Sequence, residues 1–182
     1  MHFSGSPRYI AAYSLFSTIL FIFSPPTFAR HGIPPTSSIQ TLTTRPAALK
    51  ELPAVDVQLR LAEDAKSSQP GPLRFAVPVT VDITPETEGT WEQLAEGTQL
   101  WRLRFTASGA TDLNFGFTRF WLPAGARLYV RSESEDYYEG PYTEQDNKPH
   151  GQLWIPVVPG DRAVIELYVP TGRETEVELR LT

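Results

Sequence analysis

The stretch "GPYTEQDNKPHGQLWIPVVPGD", Gly140 to Asp161, brings together the side-chain types from which a hydrolytic site is built: a histidine, nearby carboxylates and hydroxyls, and a tryptophan between prolines and glycines. A serine hydrolase needs a base within hydrogen-bond reach of its nucleophile, and an acid to orient that base. The other histidines, His2 and His31, fall in the N-terminal part of the chain, so His150 is the candidate base and Asp146 is its nearest acid in sequence. No serine lies in a strained Gly-x-Ser-x-Gly turn, which removes the usual way of presenting a nucleophile beside them. These residues therefore predict a structural turn with no catalytic residue. Asp146 or Asn147 is expected to bond main-chain groups of the turn, with His150 leading into Gly151 at a position where a side chain would clash.

A second cluster, "SESEDYYEG", carries Glu133, Glu135, Asp136 and Glu139, oxygen ligands of the kind calcium accepts. Their spacing lacks the Asp-rich, glycine-hinged order of an EF-hand loop. A solvated hairpin loop is the expectation, with no metal and no cofactor.

The aromatic residues are the third set. Trp91, Trp154, Tyr138 and Tyr142 could present rings to a partner or a glycan, whereas Trp101 shares its strand face with Leu103 and Phe105 and is expected inside. Trp154 stands apart because Leu153, Ile155 and Val157 occupy the opposite face of its segment, leaving its ring with Pro156 and Val158.

The elements that position these residues follow from periodicity. From Leu73 onward apolar residues recur every second position, in "LWRLRF", "DLNFGF", "RLYV", "GQLWIPVV", "RAVIELYV" and "TEVELRL". Each run is bounded by Gly, Pro, Asp or Ser, which predicts about eight strands with one buried face. With no second helical period among them, the fold class is all-β, an antiparallel sandwich of jelly-roll type. "LPAGARL" and "VPGDRAV" place proline before glycine between apolar runs and read as hairpin corners. Upstream, Asp56 to Lys66 is predicted as one short helix capped by Asp56 and stopped by "SSQPG".

The N-terminus reads as an export signal over residues 1–29: Arg8 gives a positive start, "YIAAYSLFSTILFIF" is apolar but short of the roughly 20 residues of a membrane span, and Thr27 and Ala29 suit cleavage after Ala29. Residues 30–55, polar and broken by prolines, predict a flexible linker; 56–69 hold the helix and a connection; 70–182 form the sandwich. The chain of 182 residues has 16 basic and 21 acidic side chains and a formal charge of -5, falling to -6 once residues 1–29 are removed. Basic groups scattered among acids form no stripe that could neutralise a run of phosphates, so nucleic acid is not an expected partner, and neither is a membrane after signal cleavage. The absence of cysteine excludes thiolate zinc sites and cysteine nucleophiles, and leaves an exported domain to be held by its core alone.

The succession "EDAKSSQPGPLRFAVPVTVDITPETEGTWEQL", "LWRLRFTASGATDLNFGFTRFWLPAGARLYVRS", "GPYTEQDN", "HGQLWIPVVPGDRAVIELYVP" resembles the non-catalytic N-terminal pro-region of secreted bacterial serine proteases of the lysyl-endopeptidase, trypsin-like type. The likeness runs from about Leu52 to Pro170. It implies an exported β-rich module that in such proteins precedes a protease domain. Here the sequence ends at Thr182, just after a strand, and the resemblance transfers no catalytic activity. The expected function is that of an accessory module in the periplasm or outside the cell, with a secreted serine-protease domain as partner, acting by folding assistance or masking. Two alternatives stand beside it: a fragment of a secreted endopeptidase whose catalytic domain is missing, and a carbohydrate-binding sandwich.

Overall fold

The structure is a computed structural model that describes residues 34–35, 45–66, 75–94 and 97–182; the expected signal peptide and the "SSQPG" stop lie outside the described residues. Among the described residues eleven strands are formed: β1 Ala48–Glu51, β2 Thr90–Leu94, β3 Thr98–Thr106, β4 Asp112–Leu113, β5 Gly116–Trp121, β6 Arg127–Ser132, β7 Tyr138–Tyr142, β8 Leu153–Trp154, β9 Val158–Pro159, β10 Arg162–Pro170 and β11 Glu178–Leu181. One helix, α1, spans Val57–Lys66, and its start is set by Asp56, whose Oδ1 accepts from the Leu59 amide at 2.9 Å. That is the N-cap the sequence predicts, and it satisfies a donor the first turn leaves without a carbonyl.

The strands make an all-β sandwich. Its large sheet has the order β1-β3-β10-β6-β7, with β2 also on β3; the smaller sheet is β11-β5-β8, and β4-β9 form a two-stranded ribbon. Pairing is antiparallel throughout except at β1, which runs parallel to β3. β1 and β2 divide the same edge of β3 between them, β2 taking Thr98–Arg102 and β1 Leu103–Thr106. The sequence places residues 48–51 in a flexible linker; the structure makes them a strand, because the alternating "ALKE" turns Ala48 toward the core and frees its backbone to meet β3.

Trp101, Leu103 and Phe105 of β3, Ile165 and Leu167 of β10, and Leu128 and Val130 of β6 face Phe117, Phe120, Leu179 and Leu181 of the smaller sheet in one continuous core. Each such buried side chain contributes about 1.5–3 kcal/mol relative to exposure. Phe105 and Phe115 pack edge to face with ring centroids 5.1 Å apart.

The two proline-glycine turns are not hairpin corners. β5 pairs with β11 and β8 while β6 pairs with β10 and β7, so "LPAGARL" carries the chain from one sheet to the other. "VPGDRAV" does the same between the β4-β9 ribbon and the large sheet. A tight turn reverses the chain, but strand pairing decides which sheet receives it. "GQLWIPVV" is likewise two short strands, interrupted at Pro156, which has no N–H for a ladder.

The large sheet also buries part of its other face. Leu100, Tyr129 and Tyr168 form a second small core there, with Tyr129 and Tyr168 nearly perpendicular at 5.8 Å. Glu166 sits fully buried beside them, accepting from Arg131 Nε and from the Tyr168 hydroxyl, each at 3.0 Å. Arg127 lies 5.7 Å from the Tyr168 ring centre, and Arg104 forks onto Glu133. Long side chains thus cover apolar ground with their stems while pairing their charges.

Candidate functional site

The histidine region is a loop between β7 and β8. Its first turn is a short 3-10 helix, Glu144–Asp146, closed by a reciprocal cap: Asp146 Oδ2 accepts from the Thr143 amide at 2.8 Å, and Thr143 Oγ1 accepts from the Gln145 amide. Asn147 reaches further than its own turn. Its Oδ1 accepts from the Leu122 amide and its Nδ2 donates to the Leu122 carbonyl, both at 2.9 Å, so one side chain stands in for a strand partner at the end of β5. His150 is exposed and its Nδ1 accepts from the Gln152 amide at 3.1 Å, which turns the ring onto its own backbone. Gly151 is needed for its φ of +64°, not for space, since a Cβ there would meet nothing within 4 Å. The clash expected from sequence is replaced by a backbone requirement.

The acidic stretch is the β6-β7 hairpin, and its carboxylates go separate ways. Glu133 is held by Arg104, whose guanidinium is raised in pKa first by that hydrogen bond. Glu135 and Asp136 are exposed at the tip. Glu139 is fully buried and accepts from the Tyr137 and Tyr142 hydroxyls. Burial, then the hydrogen bond to Glu139 and its charge, push the Tyr137 hydroxyl up to about 12. No group of three or more metal-ligating side chains converges among the described residues.

The four aromatic candidates do not form one surface. Tyr142 is buried in the main core and is no contact residue, because both faces of β7 are covered. Tyr138 is half-buried against Tyr129, with ring centres 6.3 Å apart. Trp91 packs on the core with its indole N–H bonded to the Pro85 carbonyl at 2.9 Å. Trp154 alone of the four is open, 65% exposed. Its six-membered ring lies directly on Gly116, where an added Cβ would come within 2.2 Å of Cζ3.

Trp154 stands at the mouth of a cavity of about 500 Å³ at one open side of the sandwich. Phe105, Leu113 and Phe115 of the core reach its floor, and Val57 and Leu61 of α1 form one wall. Leu61 and Phe75, 57% and 98% exposed, are residues that sequence reasoning did not single out as contacts. The signal was present in α1, whose apolar Val57, Leu59 and Leu61 fall two apart and so spread around the helix, leaving none of its residues buried.

Among the described residues the sandwich thus carries an apolar cavity beside the flat indole of Trp154, with Asp146, Asn147, Glu133 and Glu139 engaged in capping and pairing. The chain belongs to the family described as the lysyl endopeptidase N-terminal domain, whose family model matches residues 48–181. In such an enzyme this part is the non-catalytic pro-region. The match begins at the first residue of β1 and ends at the last of β11, so it covers the whole sandwich with α1. No solved structure matches the chain, and no helix among the described residues is long and apolar enough to cross a membrane.

Proposed function

We propose that this chain is an exported, non-catalytic accessory module that acts on a serine-protease domain by contact, assisting its folding or masking it. The observation that carries this is the extent of the family match, which takes in every strand of the sandwich and so concerns the domain as a folded unit. The physical route is mass action: a rigid module that binds the folded state of its partner, and not the unfolded chain, stabilises that state by about 2.7 kcal/mol at 100 times the dissociation constant. Export follows from the positive start, apolar run and small residues of positions 1–29. The family's own definition also favours a second reading, in which the same module is the N-terminal part of an endopeptidase precursor. Reading the coding sequence beyond codon 182 for a protease in any frame separates the two.

The test uses the purified protein and a chemically denatured lysyl endopeptidase catalytic domain. Its presence is expected to raise the yield of refolded activity, or to suppress hydrolysis of a lysyl anilide by the native enzyme, with saturation at equimolar protein. Unchanged refolding and unchanged hydrolysis at micromolar concentrations would refute the reading.

A further inference from the structure

We propose that the apolar groove between α1, the segment from Phe75 to Val81 and the open side of the sandwich is where the module seats a serine-protease domain, with Trp154 as the anchor. This rests on the reading above and adds to it the surface that does the binding.

The exposed apolar groups are concentrated there. Of the eight exposed large hydrophobic residues among the described ones, four, Leu61, Phe75, Val77 and Trp154, line this groove. Contiguous apolar ground of this kind marks an interaction site more often than singly scattered residues do. The anchor is already in place. Because the Trp154 ring rests on Gly116 it has little freedom to lose on binding, and a preorganised tryptophan that a partner would bury is a typical binding hot spot.

Both the place where the matched domain ends and the chemistry of the rim point to a protease domain as the occupant. Leu181 and Thr182, at the end of β11, line the same groove. In a lysyl endopeptidase, whatever follows the N-terminal domain therefore leaves from the groove wall. If that connection is short, it gives a catalytic domain an effective concentration of the order of millimolar at this surface. A polysaccharide fits less well, because the lining is largely apolar and two of its polar side chains are spent on the protein itself. Asn114 Nδ2 donates to the Ile155 carbonyl, and the Thr111 hydroxyl donates to Asp112 at 2.8 Å. The floor, built from core residues such as Phe105 and Phe115, instead suits an apolar side chain of a protein loop.

The experiment measures binding of the full secreted chain to a bacterial lysyl endopeptidase whose nucleophile has been blocked with a sulfonyl fluoride, so that the module is not digested. Trp154→Ala and Leu61→Ser, both at exposed positions, are each compared with Trp121→Ala, an exposed tryptophan on the same sheet but outside the groove. Trp154→Ala is expected to weaken binding about 30-fold or more, Leu61→Ser about 5-fold, and Trp121→Ala not at all, with all three retaining the parent melting temperature. If Trp154→Ala melts lower, Leu61→Ser decides. Wild-type binding that both groove variants share unchanged, or that Trp121→Ala abolishes, overturns the groove and leaves the accessory reading intact. No binding by the wild type removes both. Sedimentation showing a Trp154-dependent dimer, or Trp154-dependent retention on immobilised chitooligosaccharide without protease binding, gives the groove another occupant and overturns the proposal as well.

Discussion

Replacing Arg131 with methionine tests how much the Arg131–Glu166 ion pair contributes to the outward-facing core of the large sheet. Glu166 is fully buried and pairs with Arg131 at 3.0 Å, whose own side chain is 27% exposed. Removing one member of such a pair costs about 3–5 kcal/mol, because the remaining charge is left uncompensated away from water. Two features place Arg131→Met at the low end, about 3 kcal/mol. The Tyr168 hydroxyl still donates to Glu166, and Arg102 stands directly across the strand from it. The double variant Arg131→Met, Glu166→Leu removes the carboxylate together with its cation, and its expected cost is about 1 kcal/mol, chiefly the acceptor lost to Tyr168. The two positions should therefore show a coupling of about 2 kcal/mol or more. Urea unfolding followed by tryptophan fluorescence reads this directly: with a slope of about 2 kcal/mol per molar, the single variant lowers the midpoint by about 1.5 M and the double by about 0.5 M. A single variant that moves the midpoint by less than about 0.3 M, or a double variant as damaged as the sum of its singles, would show that the pair does not hold this face.

Gly89→Ala is expected to be among the most damaging small substitutions. Gly89 has φ +106°, and an added Cβ would lie 2.1 Å from Nε1 of the fully buried Trp101, which is fixed by its bond to the Glu88 carbonyl. A loss of about 3 kcal/mol, read as a drop of roughly 10 °C in Tm, follows. Asn147→Ala leaves the Leu122 amide and carbonyl without their partner and is expected to cost about 2 kcal/mol, with faster hydrogen exchange at the Leu122 amide as the local readout. At alkaline pH, Tyr137 supplies a titration with a defined sign. The fold favours its neutral form, raising it from about 10 in the unfolded chain to about 12. Its contribution is complete below about pH 10 and lost as pH rises through about 12, a fall of about 2 kcal/mol after allowing for partial exposure. Chemical denaturation at pH 9 and pH 11.5 should show most of that fall in the wild type and a smaller one in Tyr137→Phe.

How far the sequence carries varies with how local the deciding interaction is. β3 and β10 are legible because their alternating residues are long runs with one strongly apolar face, and α1 is legible because Asp56 caps it within three residues. β1 is not, since four residues between prolines carry too little pattern to distinguish a strand from a linker; only its pairing with Leu103–Thr106 makes it one. The two proline-glycine turns look alike to any local rule, yet both cross between sheets, because their destinations are fixed by pairings far away in the chain. At the candidate site the isolation of Trp154 is visible in the alternation around it. The burial of Tyr142 and Glu139 is not, because β7 is covered on both sides and alternation then loses its meaning. The groove itself joins α1 to the ends of β8 and β11, a meeting that no sequence window spans.

β11 is the last strand to be made and completes the smaller sheet, pairing with β5 and meeting Ile83 through the Ile83–Leu181 bridge. A growing or translocating chain that has not yet released residues 177–181 lacks Val177, Leu179 and Leu181, and the apolar side of β5 stays open to water. The sandwich therefore cannot close until its final residues emerge, so its maturation coincides with the arrival of any segment joined behind it.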